Sequence, residues 1–259
     1  MDPASVATAV GAYLGLKDLV PRILGPTADY LGSEMRSYTE QGATNLRRIF
    51  SNTGAMLGDE LNKPGQVSPK VLKNILDEGY FSEDELSAVY FGGVLASSRT
   101  TNDRDDRGAT FVKLVSRLSV YQLRTHHIFY ATVRKRHSGQ SVNLYEQTER
   151  KAKLKTFLSF RELSAGLDLR DSENPNTLIP HIIHGLVREE LIEDAFRYGG
   201  AEHVQKELPD ITEGGLLLTP CPLGVELYLW AYGKGNLTCE ALLDQNTTFK
   251  PLPDIVYPQ

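Results

Sequence analysis

Asn174-Pro175-Asn176-Thr177-Leu178-Ile179-Pro180-His181-Ile182-Ile183-His184-Gly185-Leu186-Val187-Arg188-Glu189-Glu190-Leu191 is the stretch that decides the fold. Leu178, Ile179, Ile182, Ile183, Leu186, Val187 and Leu191 recur at three- and four-residue steps, which predicts an amphipathic helix over 176–190. Asn174 or Asn176 can cap it, and Pro180 is tolerated in or near the first turn, where a missing N–H costs little. Beyond it, the residues around Leu191-Ile192 and Phe196-Arg197-Tyr198, then Gly215-Leu216-Leu217-Leu218-Thr219, predict two short strands joined by a long polar loop. A closing helix follows and ends near Gly233. A recognition-type helix, a small β wing and a closing helix together predict a winged-helix-like module in a mainly α chain.

Outward from that stretch, charge divides the 259 residues unevenly. Residues 104–155 hold twelve Lys/Arg against four Asp/Glu, whereas 174–234 hold four against nine. The middle is basic and the module acidic. The expected organisation is a helical N-terminal domain over 1–103, the winged-helix-like domain over 104–235 and an irregular tail over 236–259 with late prolines. Two cysteines, Cys221 and Cys239, supply neither a disulfide framework nor a paired metal motif, and a reduced, cytoplasmic setting is expected. Met1-Asp2-Pro3-Ala4 lacks a basic leader region, and the apolar run to Leu16 is too short to span a bilayer.

In the first domain, Val6, Val10, Tyr13 and Leu14 predict a helix ending before Pro21. Ala28, Leu31, Met35, Tyr38, Gly42, Leu46, Ile49, Thr53 and Leu57 predict a long helix near 28–58, about 30 residues at 1.5 Å each. An intramolecular hairpin or a homodimer would serve its stripe equally well. Ser68-Pro69 starts a further helix with a capping serine, and Ser82-Glu83-Asp84-Glu85 matches a capping box that places the next start at Glu83, burying Leu86, Val89, Tyr90, Val94 and Leu95. The acidic groups there cap a helix and are poor general acids. Asp103, Asp105 and Gly108 suggest a calcium loop, but Arg107 and Leu114 stand where oxygen ligands are required.

From Phe111 one long helix is expected, closed by Arg134-Lys135-Arg136-His137, where basic residues suit the helix dipole. The same cations, with Arg117, Arg124, Arg150, Lys151, Lys153, Lys155 and Arg188, form a candidate phosphate-contacting set. A short helix over 157–167 should precede the recognition-type helix.

Several motifs in order resemble the bacterial abortive infection alpha (Abi-alpha) family. They are Leu24-Gly25-Pro26 with Tyr30-Leu31-Gly32, Asn45-Leu46-Arg47-Arg48-Ile49, and Ser68-Pro69-Lys70-Val71-Leu72 running on to Leu76. Glu85-Leu86 with Val94-Leu95-Ala96-Ser97 follows, then Phe111 to Ser119, Leu186-Val187-Arg188-Glu189-Glu190-Leu191-Ile192, and Leu218-Thr219 with Leu223-Gly224-Val225-Glu226-Leu227. Two positions depart from the family: Tyr90 or Phe91 stands for its usual tryptophan, and Glu190 for its usual glycine. The resemblance implies a part in bacterial defence against phage and supplies no catalytic residues.

Independent chemistry is sparse. His181 and His184 share a helix face without further ligands at metal spacing, His126 and His127 are adjacent and point apart, and no phosphate loop, dinucleotide fingerprint or nucleophile elbow occurs. No cofactor, metal or catalytic residue is expected. The leading expectation is a non-enzymatic defence protein whose module binds a host or phage protein, because Arg188 faces Glu189 and Glu190 on the reading helix. The alternatives are nucleic-acid binding through the basic 104–155 stretch, and a membrane-acting effector using the N-terminal apolar helix, for which basic flanks and aromatic anchors are missing.

Overall fold

The computed structural model describes residues 11–12, 14–16, 18–24, 40–101, 104–170 and 172–250. The chain forms two compact units, Met1–Arg117 with Leu229–Asn236, and Leu118–Tyr228 with Leu237–Gln259. The boundary falls at 117/118 rather than 103/104, and two segments after the module are shared out between the units. A mainly helical protein with one small antiparallel sheet results.

In the first unit, α1 (Leu19–Leu24) carries Pro21 in its first turn, so the proline sits inside a helix start rather than beyond a helix end. The expected helix over Val6 to Leu14 falls largely outside the described residues, as does the first part of the 28–58 helix. The remainder is α2 (Glu40–Leu57), which buries Gly42, Ala43, Leu46, Ile49, Phe50 and Thr53. A 3-10 turn, Gly58–Asn62, ends it. Helix α3 (Pro69–Gly79) starts on a proline as expected, but Ser68 makes no side-chain capping bond.

Helix α4 (Glu85–Ser97) begins two residues later than the Ser82 box predicts. Asp84 is the cap, accepting from Ser87 N–H at 3.0 Å, and a carboxylate is the stronger acceptor for a first-turn donor. Helix α4 is apolar all round, and ten of its thirteen residues are buried. Thr53 Oγ1 donates to Gly92 O at 3.0 Å, and a Cβ on Gly92 would lie 3.0 Å from Ile49 O, so α2 and α4 approach through glycine. Helix α5 (Gly108–Arg117) adds Phe111, whose ring stacks on Trp230 at 4.6 Å with 25° between planes. Arg107 lies over the same indole at 5.6 Å, and a Cβ on Gly93 would meet Ala231 O at 2.1 Å.

The single helix expected from Phe111 to His137 is two helices. A new one, α6 (Val120–His137), starts at Ser119 with a reciprocal capping box to Gln122, which ends the preceding helix at Arg117. Next come α7 (Gln147–Lys153), β1 (Thr156–Ser159) and α8 (Phe160–Leu167). The helix expected from Phe157 therefore begins at Phe160. Ser159 and Glu162 form its capping box, and the three residues before Ser159 pair with β3 instead.

Asn174 caps α9 (Pro175–Arg188) by accepting from Asn176 N–H at 3.0 Å, and Pro180 is its sixth residue, one turn deeper than expected. Ile182, Ile183, Gly185 and Leu186 form its buried face. β2 (Arg197–Gly199), α10 (Ala201–Val204), β3 (Gly215–Leu218) and α11 (Pro222–Ala231) follow. Three strands, not two, make the sheet, in the order β1-β3-β2, with Phe157 opposite Leu217 and Tyr198 opposite Leu216.

The described part of the expected irregular tail, 236–250, is packed, and 251–259 lies outside the described residues. Cys239–Leu242 forms a 3-10 turn, Leu242 and Leu243 are buried, and Arg134 ties the segment down through Leu242 O at 2.7 Å and Asp244 O at 3.1 Å while lying 4.4 Å from the Phe249 ring.

Candidate functional site

In the second unit, exposed polar side chains line α9 and the loop from β2 to β3. Because Ile182, Ile183 and Leu186 turn inward, the opposite face of α9 exposes Asn176, Thr177, His181, His184 and Arg188. His184 meets the Phe196 ring edge-on at 5.6 Å, and Phe196 stacks near Tyr198 at 6.1 Å, so an aromatic strip links α9 to β2.

His181 has a different neighbour. Its Nε2 lies 3.0 Å from Ser119 Oγ. Gln122 holds both residues by their backbones: its Oε1 accepts from Ser119 N–H at 2.9 Å and its Nε2 donates to His181 O at 3.1 Å. That carboxamide is buried, and it fits against α9 only because position 185 is glycine, where a Cβ would fall 1.8 Å from Nε2. Beside it, the Tyr121 hydroxyl donates to Glu173, a bond that raises the phenol and lowers the carboxyl from their ordinary pKa values.

The loop from β2 to β3 is acidic. Glu202, Glu207, Asp210 and Glu213 accompany Lys206 and His203. Glu207 accepts from Lys155 and from Arg197, the latter at 2.5 Å, and these cations hold its carboxyl below the usual range. Glu202 pairs with His203 at 2.9 Å.

The ten cations expected to contact phosphate do not form one free surface. Arg150 is buried, ion-paired with Glu193, and donates to Leu144 O at 2.7 Å and Pro220 O at 3.1 Å. Gln147 Nε2 completes the coordination of Glu193 at 2.8 Å, and Lys151 approaches it at 3.8 Å. Arg134 holds the C-terminal segment, and Arg136 donates to Phe157 O at 2.5 Å. Lys153 pairs with Glu149 at 3.0 Å, Lys155 with Glu207, and Arg188 with Glu189 at 3.1 Å. Arg124 and Lys135 lie on α6, and Arg117 closes α5 in the other unit. Arg134, Arg136 and Arg150 thus brace the fold, while Lys151, Lys153, Lys155 and Arg188 make partly exposed ion pairs.

Four further side chains are enclosed. His126 bonds Gly224 O at 3.0 Å through Nε2 and rests against Tyr130, while His127 lies beside Tyr228; burial pushes both imidazoles down to about 3. Burial likewise pushes the Cys221 and Cys239 thiols up to about 11, which keeps them poor nucleophiles. A shallow cleft of about 350 Å³ opens between 139–142 and 240–246. Among the described residues no three His, Cys, Asp or Glu side chains gather as a metal site, and no helix is long and apolar enough to cross a membrane.

Sequence inspection missed Ser119, Gln122, Gly185, Phe196 and Tyr198. The Ser-x-x-Gln spacing at 119–122 was legible as a capping box. The meeting of Ser119 with His181, 62 positions apart, was not. No family model matches the chain, and no curated protein or solved structure does either.

Proposed function

We propose that the second unit is a winged-helix-like module that acts by binding another protein, in the setting of bacterial phage defence. The observation that carries the proposal is the element order α6, β1, α8, α9, β2, β3 with β1 paired to β3, which leaves α9 exposing a polar face beside a β2–β3 loop in the wing position. That loop bears four carboxylates, and a wing of this sign repels the phosphate backbone that a DNA-reading wing must approach. Arg150, Lys153 and Lys155 are ion-paired with Glu193, Glu149 and Glu207, which offsets part of the charge that counterion release would need.

The defence setting rests on the Abi-alpha resemblance. One local feature supports it: Glu190, which stands where the family usually has glycine, has φ +56°, a backbone region that glycine enters without strain.

The test is a phage challenge of bacteria expressing the protein beside a variant with Glu202, Asp210 and Glu213 changed to Lys. Protection by the wild type and its loss in an equally stable variant are expected. Equal protection by both would remove the wing from the function, and no protection by either would remove the defence role.

Nucleic-acid binding is the second reading, and one observation favours it. Helix α9 contains no acidic residue, and the Glu189 side chain beyond it is only 10% exposed, so the Asn176–Arg188 face is free of carboxylates. Fluorescence anisotropy with duplex DNA and RNA separates the two. Protein binding predicts no association at physiological salt; association that survives it, and that Arg188→Ala weakens with a salt slope lower by about 1, would put nucleic acid first.

A further inference from the structure

We propose that Ser119 and His181 form a nucleophile–base pair able to take an acyl group from an activated ester. The proposal is independent of the partner bound by the module. Ser119 Oγ accepts from Gln122 N–H at 3.3 Å and lies 3.0 Å from His181 Nε2, to which it donates when the imidazole carries its proton on Nδ1. That is the hydrogen-bond reach required between a hydroxyl nucleophile and its base. The backbones that carry both groups are held in place. The buried Gln122 carboxamide bonds the Ser119 backbone N–H and the His181 carbonyl, and glycine at 185 makes room for it. His181 is exposed and Ser119 partly so, which leaves the pair open to a reagent from solvent. The first-turn N–H groups of Val120 and Tyr121, next in the chain after Ser119, have no intrahelical acceptor.

The step is acyl transfer. Ser119 Oγ bonds the ester carbonyl carbon as its proton passes to His181 Nε2, and the carbonyl oxygen carries the negative charge. Collapse breaks the carbon–alkoxide bond, and the alkoxide leaves as the alcohol with the proton from His181. Water then attacks the acyl-serine with His181 again accepting a proton, releasing the carboxylic acid and restoring Ser119. No other reactant is required.

The experiment treats the full chain with a fluorophosphonate probe and maps adducts by mass spectrometry, with exposed Ser164 in the same digest as the internal reference. Labelling of Ser119 at least about 100-fold above Ser164 is expected, in line with general-base activation. His181→Ala should cut Ser119 labelling by a similar factor. Ser119→Asn, which keeps a good helix cap, should abolish both the adduct and any p-nitrophenyl acetate turnover at unchanged Tm. Labelling of Ser119 no faster than of Ser164 in the wild type overturns the proposal. So does labelling that is indifferent to His181 in a folded variant.

Discussion

The two units fill their interiors differently. Among the described residues, the buried polar side chains of the first unit are Asn45, Thr53, Ser68 and Ser98, all uncharged. The second unit encloses His126, His127, Arg150 and Glu193 in addition to Gln122 and five hydroxyl side chains. The backbone differs as well: the described left-handed positions of the first unit, Gly15, Gly58 and Gly233, are all glycine, whereas the second places Asp168 and Glu190 there beside Gly139 and Gly199. An apolar interior tolerates changes of pH and fails by overpacking, while one with buried ionisable groups fails when a proton or a partner is changed.

Acid should expose the contrast most strongly. A buried histidine with a pKa of about 3 gains protons more readily when unfolded, where the ordinary value is 6.5. The unfolded state therefore binds more protons between these values, and stability is lost as pH falls from 6.5 towards 3, by up to about 1.4 kcal/mol per pH unit for each histidine. Calorimetry from pH 7 to 4.5 should show the second unit melting earlier while the first moves little, and His127→Gln should flatten the slope. Parallel losses in both units would break the comparison.

Arg150→Met comes next. It leaves Glu193 buried with its main cation gone and should cost about 3–5 kcal/mol by denaturant titration, with the Arg150→Met/Glu193→Met double variant recovering most of the loss. Recovery would show that charge rather than packing sets the sensitivity of that interior.

Gly93→Ala tests the first unit by its own mode of failure. In an exposed helix the change would help, but here the added methyl meets the Ala231 carbonyl at 2.1 Å, and a loss of about 1–3 kcal/mol in chemical denaturation is expected with no pH dependence. The smallest effect should be a gain. Glu190→Gly relieves a left-handed backbone and should raise stability by about 0.5–1 kcal/mol, read as an upward shift in Tm of the second unit only.

How far these contrasts were legible depends on the range of the interactions. Local signals carried well: the apolar stripe of α9, its Asn174 cap, the all-round apolar α4 and the proline start of α3 are written within a few residues each. Where two local signals competed, the sequence misled. Ser119-x-x-Gln122 was passed over in favour of an uninterrupted helix, and Phe157 and Leu158 read as helix because their strand partners lie 58 or more positions on. The candidate sites were least legible. Arg134, Arg136 and Arg150 look like a basic surface until their acceptors at Leu242, Phe157, Pro220 and Glu193 are brought beside them.

Sequence alone therefore determined the helical class, the starts of α3 and α9, the small β component and the charge contrast, because periodicity, caps and charge are short-range properties. Only the tertiary structure decided where the units divide, that a third strand completes the sheet, which cations are internal braces, and that Ser119 meets His181. Each of those depends on groups distant in the chain, whose approach is set by packing rather than by any neighbouring residue.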